Sequence, residues 1–191
     1  MMDAPKIWFL RHGETEWNAE GRVQGQLESD LTAQGIAHAR RQAEIMAPIL
    51  AAHRPPCLVS PLRRAQHTAR IALGARDFVT EPRLAEVHAG QFQGLTRTDI
   101  ADRFPEIHQR VQTNLGLFCA APEGEGYGAF QSRILDLVNQ LETPTVLVAH
   151  GLLGQVLRGL ICGLDYEDMA ALPNEQGCVY VLERGREEVL R

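Results

Sequence analysis

Two apolar runs, each reading as a buried β-strand, end in the same dipeptide. Lys6-Ile7-Trp8-Phe9-Leu10 leads into Arg11-His12-Gly13, and Thr145-Val146-Leu147-Val148-Ala149 leads into His150-Gly151. With seven His and 17 Gly in 191 residues, a His-Gly pair on its own is unremarkable. The strand in front of each pair is what constrains the fold. Strands of a parallel α/β sheet point the same way, so residues just past their C-ends share one edge. Ligands bind at that edge, beside helix N-termini with free N–H groups. Two imidazoles there, with Arg11 next to one of them, point to a site that handles an anion.

The rest of the chain fits such a sheet. Residues 7–10 form the first strand, and residues 11–30 are polar and glycine-punctuated, a long loop of the functional kind. Thr32 caps a helix running to about residue 52, with Ile36, Ala39, Ala43, Met46 and Leu50 on one face. After Pro55-Pro56, residues 57–60 read as a short buried strand, and Pro61 is placed in the first turn of a helix ending near residue 73. A short strand is expected within 78–84, and 85–95 is glycine-rich and irregular. A helix in two pieces over 96–117 breaks near Pro105, and 122–128 is loop. Residues 130–141 form an amphipathic helix, and 152–162 a further helix. A terminal hairpin turns at Arg184-Gly185 between 178–182 and 187–190.

Composition narrows the class. A chain of 191 residues, 45% hydrophobic, suits one domain over 1–191 with a sizeable core. The formal net charge is -5 and no basic stripe runs along the chain, which argues against nucleic acid as a partner. Cys57, Cys119, Cys162 and Cys178 form no C-x-x-C pair and no zinc spacing; Cys57 and Cys162 read as small core hydrophobes. No apolar run approaches the roughly 18 residues of a membrane span, and residues 1–10 lack the apolar stretch of a signal peptide. The expectation is a reduced, cytoplasmic protein with no membrane partner. A homodimer is the assembly allowed for.

A longer pattern adds to this. Arg11-His12-Gly13-Glu14-Thr15-Glu16-Trp17-Asn18, then Gly21-Arg22-Val23-Gln24-Gly25, then Asp30-Leu31-Thr32-Ala33-Gln34-Gly35 resembles the opening of the histidine phosphatase superfamily, which includes the cofactor-dependent phosphoglycerate mutases. Ser60-Pro61-Leu62-Arg63-Arg64-Ala65-Gln66-His67-Thr68-Ala69 is similar to that family's second arginine motif. Leu84-Ala85-Glu86 with Gly90 and Gly94-Leu95 is similar to its acid-residue segment. Pro122-Glu123-Gly124-Glu125 resembles its Pro-Gly-Gly-Glu-Ser loop, and Val148-Ala149-His150-Gly151 its second-histidine motif. The matches span residues 6 to about 160. The resemblance implies a three-layer α/β/α sandwich with a mostly parallel sheet, and a cap at about 85–128.

It also implies roles. Phosphoryl transfer is mostly positioning and charge neutralisation, and arginine offers permanent charge with forked donors. Arg11 and Arg64 would hold the phosphate, with His150 as a third donor and turn N–H groups, including that of Gly151, as further ones. His12 would be the nucleophile, kept neutral by nearby cations. Gly13 would clear space for phosphate. Glu86 would protonate the leaving alkoxide and then activate water, which needs a raised pKa. Asn18, Gln24 and Gly25 match positions at the phosphate or substrate, and Glu125 a residue that supports the site. Arg63 and His67 would face solvent, as would His38, His53 and His108, whereas His88 is a candidate for the pocket wall. No metal and no cofactor are expected, because Arg and His supply the positive charge.

The family divides between phosphatases and mutases. Mutases carry an insertion between the acid residue and the second histidine, a C-terminal tail over the pocket, and an adjacent basic pair for a carboxylate. Only 64 positions separate Glu86 from His150, little chain follows the hairpin, and no such pair stands between Arg97 and Arg110. The expected activity is therefore metal-independent hydrolysis of a small phosphomonoester through a phosphohistidine. A phosphoglycerate mutase, or a catalytically weak binding module on the same fold, are the alternatives. Arg97, Arg103 and Arg110 are candidates for meeting an acidic substrate.

Overall fold

The computed structural model describes residues 4–191; residues 1–3 of the segment read as lacking a signal sequence lie outside them. In chain order the elements are β1 (Ile7–Arg11), α1 (Glu16–Ala19), α2 (Ala33–His53), β2 (Cys57–Val59), α3 (Arg63–Ala72), β3 (Val79–Thr80), α4 (Arg97–Arg103), α5 (Pro105–Arg110), α6 (Asn114–Cys119), α7 (Gly126–Val138), β4 (Thr145–Ala149), α8 (Gly151–Cys162), α9 (Tyr166–Ala171), β5 (Val179–Glu183) and β6 (Arg186–Leu190). The strands form one sheet in the order β3-β2-β4-β1-β5-β6. Its first four strands are mutually parallel, and the β5–β6 hairpin joins β1 antiparallel.

Alternation along the strands divides the interior in two. Trp8 and Leu10 of β1, Val146 and Val148 of β4, and Val179 and Val181 of β5 pack with Met46, Leu50, Ala65 and Ala69 of α2 and α3. Ile7 and Phe9, Leu147 and Ala149, and Tyr180 and Leu182 face the other way, against Ile134, Leu137, Val156 and Leu157 of α7 and α8. Side chains of successive strand residues point to opposite faces, so strands that are apolar throughout require a layer of helices on each side. The three-layer α/β arrangement is thus built directly from those runs. A third, separate cluster joins Ala89, Phe92, Ile100 and Leu117, from the chain between β3 and α7, with Val23 of the loop after β1.

Several boundaries differ from the sequence reading. The loop after β1 contains the short helix α1, closed by a capping box between Thr15 and Asn18. Pro61 lies before α3 rather than in its first turn, since Leu62 is the N-cap. The helical stretch after residue 96 comes in three pieces, because Thr113 caps α6 separately from α5. Helix α7 starts at Gly126, inside the expected loop. The unanticipated α9 is a single short helix capped by Asp165. Cys57 is buried as expected, whereas Cys162 is only half-buried.

One contact seats the sheet edge that carries His12 on α2. A Cβ built on Gly13 would lie 2.1 Å from the Gly35 carbonyl oxygen, and one built on Gly35 would lie 2.0 Å from that of Glu14. The two glycines allow the first turn of α2 to touch the backbone that follows His12. Replacing Gly35 with Ala favours the helix by up to about 1 kcal/mol, but overpacking against fixed backbone opposes it by about 1–3 kcal/mol or more. The clash wins: Gly35→Ala is expected to lower the melting temperature and the turnover together. A variant that melts and turns over like the parent would refute this packing.

Candidate active site

The register Arg11↔Ala149 places the C-ends of β1 and β4 side by side, and the His12 amide donates to the Ala149 carbonyl at 3.0 Å. His12 and His150, each the residue after its strand, therefore meet, with ring centroids 5.2 Å apart. Both are buried. Nδ1 of His12 lies 2.7 Å from the Gly13 carbonyl oxygen, an acceptor only, so Nδ1 carries the proton and Nε2 keeps its lone pair. Nε2 of His150 lies 2.6 Å from Ser60 Oγ, which also accepts from the Leu62 amide. The Ser60 hydroxyl proton is then free for His150 Nε2, and Nδ1 becomes the protonated nitrogen. Ser60 was not singled out in the sequence.

A cavity of about 300 Å³ opens at this edge. Arg11, His12, Asn18, Gln24, Gly25 and Arg64 line it, together with Glu86 and Gly151, whereas His150 packs against His12 without lining the cavity itself. Arg64, on the first turn of α3, is buried and held by the carbonyls of Leu27 at 2.8 Å and Gly25 at 2.7 Å. Arg11 donates through Nη1 to the Asn174 carbonyl. Nε of both arginines, Nε2 of Gln24 and Nδ1 of His150 are buried without a hydrogen-bond partner among the described residues. Buried polar groups are normally paired. Unpaired nitrogens on three residues of the lining, and on His150 beside His12, are what a tetrahedral oxyanion would satisfy.

Gly13 does not line this cavity. Its amide donates to Thr68 Oγ1 at 3.0 Å, and its missing side chain makes room for Gly35 rather than for a ligand. The N–H groups of Leu152 and Leu153 at the start of α8 are not free for phosphate either. Both bind the Glu86 carboxylate at 3.0 Å, and the Val87 amide adds a third bond at 3.1 Å. A carboxylate at a helix N-terminus is well placed electrostatically. Even so, burial pushes the Glu86 pKa up, opposed by the Leu152 and Val87 amides, by Arg64 and by the Leu153 amide.

The segment around Glu86 is clamped from behind. Arg133 of α7 forks onto Glu125 at 2.6 and 3.0 Å and donates to the Arg83 and Glu86 carbonyls, while Glu125 accepts from the His88 amide. Glu125 thus sits where a supporting residue should, with Arg133 an unforeseen partner. His88 contacts Gly90 and Gln93, outside the cavity lining. Arg63, His67 and His53 are exposed, but His38 is half-buried against the Glu14 amide and His108 is half-buried too. Of the three arginines considered for an acidic substrate, only Arg97 reaches the cavity, near Arg22, Asn114 and Phe118.

Burial pushes the pKa of His12 well below its ordinary 6.5, and Arg64 and Arg11 push it further. Burial acts more strongly than the cations expected to do this. Burial likewise lowers His150, with Arg64, His12 and Arg11 adding to it. Below pH 6.5 the unfolded chain protonates both imidazoles while the folded chain does not, so the unfolded state binds more protons and stability falls as pH falls. Each histidine contributes a slope of about 1.4 kcal/mol per pH unit in that window. Glu86, raised in the folded state, works the opposite way, gaining stability as pH falls towards 4.5. Two histidines outweigh one carboxylate, so denaturant melts should show a net loss from pH 6.5 downward. Flat stability over that range would contradict the buried neutral pair.

Comparison with known proteins identifies the family. The family model described as histidine phosphatase superfamily (branch 1) matches residues 7–190. A glucosyl-3-phosphoglycerate phosphatase of Mycolicibacterium vanbaalenii is 36% identical over 187 residues, 90% of this chain and 80% of that one. A 2,3-bisphosphoglycerate-dependent phosphoglycerate mutase of Corynebacterium kroppenstedtii is 37% identical over 108 residues, covering 54% of this chain and 43% of the mutase. A crystal structure assigned as an alpha-ribazole-5′-P phosphatase of Escherichia coli superimposes with a TM-score of 0.80 at 26% identity, covering 98% of this chain and 96% of the other.

Proposed function

The chain belongs to the histidine phosphatase superfamily and is a phosphoric monoester hydrolase; we propose that it acts without a metal, through a phosphohistidine at His12, on a small phosphorylated metabolite. The set of four unpaired buried nitrogens on Arg11, Gln24, Arg64 and His150 carries this reading. Together they supply the positive charge and donors that a bound phosphoryl group needs.

Nε2 of His12 attacks phosphorus in line. The N–P bond forms as the bond to the ester oxygen breaks, and Glu86 gives its proton to the departing alkoxide. Water then attacks the phosphohistidine and loses a proton to Glu86, which returns both residues to their starting states. His12 must be neutral and Glu86 protonated at once. Unperturbed groups would meet that condition poorly, since the acid ordinarily titrates at 4.5 and the base at 6.5. Burial lowers one and raises the other, which brings the two required states into overlap. Asn18 braces Gln24, and the Gly25 carbonyl holds Arg64. Gly151 keeps the start of α8 clear: a Cβ there would lie 3.2 Å from Arg11 Nε.

Residues 85–128, with their own apolar cluster, serve as the cap that meets the leaving group. Arg22, Arg97, Asn114, Leu117 and Phe118 also line the cavity, which favours a polar, acidic leaving group with some apolar surface. Among the described residues no helix is long and apolar enough to cross a membrane, and a cytoplasmic enzyme remains the reading for this chain. The test is a panel of phosphomonoesters, among them phosphoserine, phosphoglycerates, glucosyl-3-phosphoglycerate and ribazole phosphate. Release of inorganic phosphate that is unchanged by EDTA supports the proposal. Phosphoglycerate isomerisation faster than phosphate release would restore the mutase, and inactivity across the panel would leave a binding module.

A further inference from the structure

The irregular segment 172–178, between α9 and β5, touches the site twice. The Asn174 carbonyl accepts from Arg11 Nη1, and the Gln176 side-chain amide donates to the His12 carbonyl at 3.0 Å. Two of the residues that would handle phosphate, Arg11 and His12, are therefore braced by a strap with no regular structure of its own. Three side chains outside the cavity fix its path. Gln155 of α8 donates to the Leu172 carbonyl at 2.6 Å, and the Tyr180 hydroxyl of β5 accepts from the Glu175 amide at 2.8 Å. Arg158, one turn beyond Gln155, donates through Nη1 to the Pro173 carbonyl at 2.6 Å.

Arg158 joins these supports. Its Nε and Nη2 fork onto Glu187 of β6 at 2.5 and 2.7 Å, and its guanidinium carbon lies 4.0 Å from the centroid of the Tyr180 ring. The side chain is 1% exposed. It starts eight residues after His150 on one helix, about 12 Å along the axis. A buried ion pair contributes little to stability by comparison with an apolar replacement. What this one adds is direction: only a planar fork with a free third branch can hold β6 and the strap together.

We propose that Arg158 is a positioning residue for phosphoryl transfer, setting the strap so that Asn174 and Gln176 fix the angle of Arg11 and the seat of His12. The proposal rests on Arg11 and His12 acting as read above. Its consequence is that weakening the Arg158 fork loosens phosphate capture at a site Arg158 never touches.

Inorganic phosphate, as a competitive inhibitor of p-nitrophenyl phosphate hydrolysis, reports on the cradle whatever fraction of the protein is folded. In Arg158→Lys its inhibition constant should rise about tenfold and kcat/KM should fall about 10- to 100-fold, the size of a displacement near 1 Å. Gln176→Ala should then matter less in the Arg158→Lys background than in the parent, because both act through one strap. Tyr180→Phe, which keeps the ring and loses the hydroxyl, should shift the inhibition constant in the same direction by less. An unchanged inhibition constant in Arg158→Lys, with rate lost only in proportion to folded protein, overturns the proposal. If Arg158→Lys does not fold, an unchanged constant in Tyr180→Phe overturns it instead. A parent enzyme that neither hydrolyses the ester nor is inhibited by phosphate would show that the phosphatase reading itself had failed.

Discussion

His12→Ala is expected to reduce turnover by about 10⁵- to 10⁶-fold, the scale seen when a covalent nucleophile is removed from an otherwise intact site. The size follows from what His12 alone provides. Its Nδ1 proton is committed to the Gly13 carbonyl, which leaves Nε2 as a lone pair already in the attacking tautomer. Burial and two arginines keep the ring uncharged well below pH 6.5, so no proton has to be removed before attack. His150 offers no replacement, because its Nε2 is occupied by Ser60. Rapid quench of the parent with labelled substrate should give an acid-labile, base-stable adduct at His12. A label that persists in His12→Ala, or a rate within tenfold of the parent, would rule out His12 as the nucleophile. The fold should survive the change, since the ring closes one hydrogen bond and its removal leaves a small cavity.

Glu86→Gln should lower kcat by about 10²- to 10⁴-fold on an alkyl phosphate, the usual span for general acid–base catalysis. The loss should depend on the leaving group. p-Nitrophenolate departs without a proton, so the first step should be spared with that ester, and the phosphohistidine should accumulate because the second step still lacks its base. The amide is a severe test for a further reason. Three backbone N–H groups converge on the Glu86 oxygens, and glutamine must present an NH₂ to one side of that set. Some stability should be lost along with activity. Equal losses on both esters, with no build-up of label, would take the proton-transfer role away from Glu86.

The sheet and the two histidines were legible because each rests on a local signal. A strand buried on both faces is largely apolar, and each of the two histidines stands just past one such run, with Arg11 between the run and His12. Arg64 was legible through its motif. What local pattern does not carry is long-range pairing. Glu86 binds amides 66 and 67 positions away, and Gln176 reaches the His12 carbonyl across 164. Arg133 looks like a solvated residue on an amphipathic helix until α7 is placed behind Glu86. Gly13 was assigned to the ligand, yet the constraint on it comes from Gly35, a helix turn whose approach no spacing announces. Helix α9 was missed for a simpler reason: six residues give too short a periodicity to read.

The attachment of Glu86 to α8 separates two things that sequence places together. Glu86 belongs to the segment that leads into the region over the cavity, but its carboxylate is tied to the first turn of the helix that His150 begins. The group proposed as proton donor is therefore tied to the helix that begins at the residue proposed to hold phosphate. Substitutions or length changes beyond residue 95 can reshape the cavity walls while the distance between acid and phosphate stays fixed. A changed wall can then admit a different phosphorylated compound without moving Glu86 from α8.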